Sequence, residues 1–133
     1  MFNALDEVLS QEVTEDSWYD DGFSIAQEIL TSFSPADWHT LSETILLKDI
    51  DYQKKLVYCL DDENPECELP VIEKLLSVHD KELSEMCIDS LRSFNSDILK
   101  AWVKKYPSVI ADAENINPLY QKVSNCFLEK LKP

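Results

Sequence analysis

Asp61-Asp62-Glu63-Asn64-Pro65-Glu66-Cys67-Glu68 sets five carboxylates in a row of eight residues with no cation among them. A second stretch, Glu15-Asp16-Ser17-Trp18-Tyr19-Asp20-Asp21-Gly22, sets two large aromatics among four acids. Three chemistries suit such oxygen-rich segments: holding a hard cation, acid–base work by a carboxylate pair, or attracting a basic partner. An EF-hand loop needs glycine at its sixth position. Glu66 stands there and Pro65 stiffens the turn, so a calcium site is not expected. With 26 acids in 133 residues some fall together by chance, and a catalytic acid or base is singled out by geometry rather than by number. Attraction of a basic partner fits the pattern best.

Other reactive residue types are sparse. His39 beside Trp38 and His79 near a helix end have no nucleophile signature around them, and they read as helix-flank and helix-end residues. Cys59, Cys67, Cys87 and Cys126 show neither a C-x-x-C pair nor zinc spacing with either histidine. They are expected to be thiols, with Cys59, Cys87 and Cys126 on apolar helical stripes and Cys67 in the acidic corner. A phosphate-binding loop needs glycines for close backbone approach, and Gly22 is the only glycine in the chain. G-x-S-x-G and H-E-x-x-H are absent too. The expectation is a protein without catalytic residues, cofactor or metal.

The formal charge of −14 repels nucleic acid and anionic lipid. Its distribution is lopsided: Met1 to Leu47 holds ten acids and no Lys or Arg, whereas the remainder holds sixteen acids and twelve bases. The N-terminal third is therefore the anionic pole. The first residues lack the basic and long apolar regions of a secretory signal, and no apolar run approaches the roughly 18 residues of a membrane span. The cytoplasm is the expected location.

These residues must be held by helices. Phe2, Leu5, Val8 and Leu9 predict a short amphipathic helix acting as a lid or cap, after which the acids and Gly22 predict a break. A second helix carries Phe23, Ala26, Ile29, Leu30 and Phe33. Ser34-Pro35-Ala36-Asp37 is a start signal for a third, lined by Trp38, Leu41 and Ile45. A fourth, with Tyr52, Leu56, Cys59 and Leu60 inward, is expected to form a hairpin with it. Beyond the acidic corner, Pro70 is expected to open a fifth helix with Val71, Ile72, Leu75, Leu76 and His79 on one face. Leu83, Cys87, Leu91 and Phe94 mark a sixth, and Asn95 caps a seventh with Ile98, Leu99, Trp102, Val103 and Tyr106 buried. After a less regular segment, Asn117-Pro118 opens the last, striped by Leu119, Tyr120, Val123, Phe127 and Leu131. No strand-length alternation occurs. The chain reads as all-α with about eight helices, in one domain over 1–133, with acidic capping helices over 1–33 and three hairpin-like units over 34–133.

Tyr52, Leu56 and Leu60 match Leu83, Cys87 and Leu91 at an offset of 31 residues, and Tyr120, Ser124 and Leu128 at a further 37. Such spacing suits stacked helical hairpins of the HEAT-like or armadillo-like kind, the alternative being an irregular helical bundle.

In size, acidity and helical-repeat style, over the whole chain rather than in any one motif, the protein resembles the immunity proteins of bacterial toxin–immunity systems, including those of contact-dependent growth inhibition. The resemblance implies a bacterial cytoplasmic protein that binds one cognate toxin domain, often a basic nuclease, and neutralises it in a 1:1 complex, with no nucleic acid or membrane contacted directly. Carboxylates can occupy the Lys and Arg that a nuclease uses for phosphates and can steer association. The contact residues expected on this reading are Glu15, Asp16, Trp18, Tyr19, Asp20 and Asp21, with Asp61, Asp62, Glu63, Glu66 and Glu68. The competing expectation is a helical-repeat adaptor or secretion chaperone that holds a peptide segment in an apolar groove.

Overall fold

The computed structural model describes residues 1–11, 15–60, 63–114 and 121–132. Those residues form an all-α protein of two compact units, Met1–Leu60 and Asp61–Pro133.

In the first unit, α1 (Phe2–Ser10) buries Leu5 and Leu9. It is the hub and not a peripheral lid, because the following three helices all pack against it. Helix α2 is α-helical over Glu15–Ser17, widens to a π-helical turn over Trp18–Gly22 and resumes over Phe23–Thr31. Gly22 therefore does not break the chain as its sequence context predicts. The Phe23 N–H bonds to the Trp18 carbonyl five residues back, the pattern that defines a π-turn. Gly22 has an ordinary helical φ of −60°, so its role is one of space: a Cβ there would lie 2.6 Å from Cε3 of Trp18.

Helix α3 (Pro35–Thr44) starts where its sequence signal places it. Ser34 Oγ accepts from the Asp37 N–H at 3.2 Å, and Asp37 returns the bond by accepting from the Ser34 N–H at 3.0 Å. Asp37 also accepts from the Phe2 N–H at 3.3 Å, fastening the start of α1 to α3. A 3₁₀ turn, Ile45–Leu47, follows and leaves Leu47 83% exposed. Helix α4 (Ile50–Cys59) begins at Asp49, whose carboxylate accepts from the Tyr52 N–H at 2.9 Å. Buried Gln53 secures the turn before it, donating to the carbonyls of Ile45 at 3.0 Å and Lys48 at 3.3 Å. The predicted α3–α4 hairpin is not the main packing of α4, which rests chiefly on α1 and on the Phe23–Thr31 part of α2.

A polar clamp joins α1 to α4. Tyr52 Oη donates to Asp6 Oδ1 at 2.9 Å, and Lys48 Nζ meets the same oxygen at 2.9 Å. The Lys48 bond, aided by the Tyr52 hydroxyl and opposed by partial burial, holds the Asp6 carboxyl below its ordinary value. Burial, then the Asp6 hydrogen bond, pushes the Tyr52 phenol up, so it remains a donor. A carboxyl depressed by folding adds stability above its unfolded pKa of about 3.9, and that stability is lost as pH falls through the lower folded value. Asp6→Asn is therefore expected to cost up to about 1 kcal/mol at pH 7 in a partly exposed site, with the difference from wild type shrinking in urea titrations toward pH 2.5. A difference that stays constant over that range would show the ionised clamp to be irrelevant.

In the second unit, α5 (Pro65–Leu76) starts at Pro65, five residues before the expected Pro70, which instead lies within the helix on an exposed position. Pro at the first helical position forfeits no bond, and Pro70 costs one where water can substitute. Helix α6 (Lys81–Leu91) is capped by Asp80, which accepts from the Leu83 N–H at 2.9 Å. His79, between them, reverses the chain with a left-handed φ of 60°. Helix α7 (Ser96–Lys105) is capped by Asn95 as expected, with Leu99 and Trp102 buried but Ile98 38% exposed. After Pro107, the segment expected to be irregular includes a further helix, α8 (Ser108–Glu114), and the last is α9 (Gln121–Lys130). The expected start of that last helix at Asn117-Pro118, with Leu119 and Tyr120, lies outside the described residues.

Helix α6 is the centre of this unit, in contact with α5, α8 and α9. It buries Leu83, Cys87, Ile88 and Leu91. Helices α6 and α9, three apart in sequence, are thus in direct contact. Lys130 ties α9 to the end of α6, donating from Nζ to the Phe94 carbonyl at 3.0 Å and to that of Arg92. Ser124 Oγ, fully buried, donates to the Ala113 carbonyl and joins α9 to α8.

Candidate functional site

Built from the backbone upward, the clearest surface feature is the outer side of the π-turn. The turn sends Trp18 inward, 4% exposed, and leaves Tyr19 49% exposed one residue later. Tyr19 meets Tyr58 of α4 edge-on, with ring centroids 4.9 Å apart, and Phe23 meets the same ring from α2 at 4.7 Å. Tyr58, itself 43% exposed, is thereby braced between two rings. Asp16, Asp20 and Asp21 are all exposed. Asp16 and Asp20 stand on the same helix as Tyr19. The result is a two-tyrosine platform on a helix that also exposes three carboxylates.

Lys48 and Lys55 are committed within this unit. Lys48 is on Asp6, and Lys55 donates to the Gln11 carbonyl at 2.8 Å while lying 5.6 Å from the Trp18 ring centroid. Lys54 also has a partner. Residues 1–60 carry twelve acids against these three bases, so the potential outside the platform is negative and attracts cations from a distance.

The expected contact residues divide as follows. Asp16, Tyr19, Asp20 and Asp21 are each exposed on α2, and Trp18 is buried beneath the turn. Glu15 contributes helical backbone only, its side chain lying outside the description, as do Asp61 and Asp62 entirely. Glu63 and Glu66 are exposed in the second unit. Glu68 is 4% exposed and accepts from the Asn64 N–H at 3.3 Å, so it serves the start of α5. Glu66 and Glu68 both lie in the first turn of α5, where the helix dipole favours negative charge.

Tyr58 is the member that sequence reasoning misses. It lies thirty-nine residues from Tyr19, and nothing in either local pattern pairs them. Its one hint is its outward position on α4, between buried Val57 and Cys59.

Elsewhere, His39 is exposed on α3. All four cysteines are free thiols. Cys59 and Cys87 are buried as expected, but Cys126 is exposed and Cys67 half-buried, because α9 turns Ser124 and Phe127 inward instead. Burial, with a contribution from Asp112, pushes the Cys87 thiol well up, which makes it a poor nucleophile. Asp112 is itself raised by burial, an effect opposed by the charge of His79. Among the described residues no three His, Cys, Asp or Glu converge as a metal-holding group, and no helix is long and apolar enough to cross a membrane.

Compared with protein-family models, curated proteins and solved structures, the chain gives no match.

Proposed function

We propose that the protein is a stoichiometric inhibitor, an immunity protein that binds a basic toxin domain, such as a nuclease, in the bacterial cytoplasm and blocks it in a 1:1 complex. The observation that carries this reading is the π-turn helix: exposed Asp16, Asp20 and Asp21 on the element that carries one ring of an exposed aromatic pair, in a unit whose Lys48 and Lys55 are engaged elsewhere. A nuclease must present Lys and Arg to bind phosphates, and those groups are the complement of such a face. The exposed Glu63 and Glu66 form a second, smaller acidic surface in the other unit.

Capture with the tagged chain from its source cells, washed at low and then moderate salt, is expected to retain one basic domain from the C-terminal end of a large secreted protein. With that domain in hand, the double reversal Asp16→Lys/Asp20→Lys should slow association by about tenfold or more and flatten its dependence on salt. Unchanged association after this reversal and after Glu63→Lys/Glu66→Lys would reject the acidic-surface reading. Several unrelated exported proteins, held without regard to salt, would instead favour a helical-repeat adaptor or secretion chaperone.

A further inference from the structure

We propose that the Tyr19–Tyr58 platform is the seat of an arginine side chain of the protein partner, with the guanidinium lying on the tyrosine rings and its N–H groups directed to Asp16 and Asp20. The inference rests on the reading of the partner as a basic protein, and goes further by specifying which cation the site selects and where.

Three features of the platform point to arginine. Its rings are exposed yet braced: Tyr58 touches Tyr19 at 4.9 Å and Phe23 at 4.7 Å between centroids. A surface held this way loses little side-chain freedom on binding. Exposed Asp16 and Asp20 stand on the same helix as Tyr19, so the element that carries the ring also carries charge that attracts a cation. Two of the unit's three lysines, Lys48 and Lys55, are bound to Asp6 and to the Gln11 carbonyl, and the excess of acids over residues 1–60 remains. A guanidinium is flat, weakly hydrated and forked, so it can stack on a ring and bond to carboxylates at once. A lysine ammonium gains the charge attraction but little from the flat ring faces. A nucleic acid, by contrast, meets twelve acids against three bases over residues 1–60 and is repelled.

Synthetic six-residue peptides of arginine and of lysine, titrated against the full chain at low salt by calorimetry, distinguish the possibilities. Wild type is expected to bind the arginine peptide roughly three- to tenfold more tightly than the lysine peptide. Tyr19→Phe keeps the ring and should keep that preference. Tyr19→Ala and, independently, Tyr58→Ala should erase it while leaving the lysine peptide's affinity unchanged; circular dichroism checks that each variant is folded. Equal affinity of the two peptides for wild type, or a preference that survives both alanine variants, overturns the arginine seat but leaves the charge-based function standing. Binding of neither peptide at low salt overturns both.

Discussion

Trp18→Ala should lower stability by about 3–5 kcal/mol, the usual cost of emptying a buried aromatic site, whereas Tyr19→Ala, one residue on, should cost less than about 1 kcal/mol. The contrast comes from the π-turn. A wider turn places Trp18 against Gly22, with no Cβ between them, and holds the indole at 4% exposure while its neighbour stands 49% exposed. Lys55 covers the outer side of the ring and loses its aromatic partner in the same substitution. Urea unfolding at pH 7 measures both costs. Similar losses for the two variants would mean that the turn does not sort the pair as described.

Glu85→Met should have the opposite sign, raising stability by about 1–3 kcal/mol. Glu85 sits on α6, against which α5, α8 and α9 pack, and is only 6% exposed. Its Oε1 has no hydrogen-bond partner among the described residues. Burying a polar atom without a partner costs about that amount, and an apolar side chain of similar length removes the penalty. The expected signature is a higher urea midpoint at unchanged slope. A fall in stability would show that the carboxylate is held by interactions stronger than those described.

Short-range signals in the chain translate directly into structure. Ser34-Pro35-Ala36-Asp37 becomes a capping box with Pro at the first helical position, and Asn95 caps α7, because each motif closes its bonds within four residues. The Trp38-Leu41-Ile45 stripe is buried as its spacing requires. Gly22 misleads because a glycine among acids resembles a break, when its missing Cβ serves a ring four residues earlier. Pro65 and Pro70 are both acceptable starts by local rules, and Pro65 takes the position with Glu68 reaching back to the Asn64 N–H. Two distant features are set by packing between helices and not by any local pattern. Tyr58 joins Tyr19 through the packing of α4 on α2, and Lys130, the last residue of α9, serves the end of α6 thirty-six to thirty-eight residues away. For the candidate site, the charges are legible from composition and the platform is not, because it is assembled from two helices.

The three tryptophans give the molecule a spectroscopic use. Trp18 and Trp38 lie in the first unit and Trp102 in the second, and all three are buried, at 4%, 6% and 8% exposure. The indole N–H groups of Trp38 and Trp102 have no acceptor among the described residues. Phenylalanine at either position therefore forfeits no described hydrogen bond, and chains keeping a single indole would emit from one unit alone, so that the melting of each half becomes visible as a separate red shift.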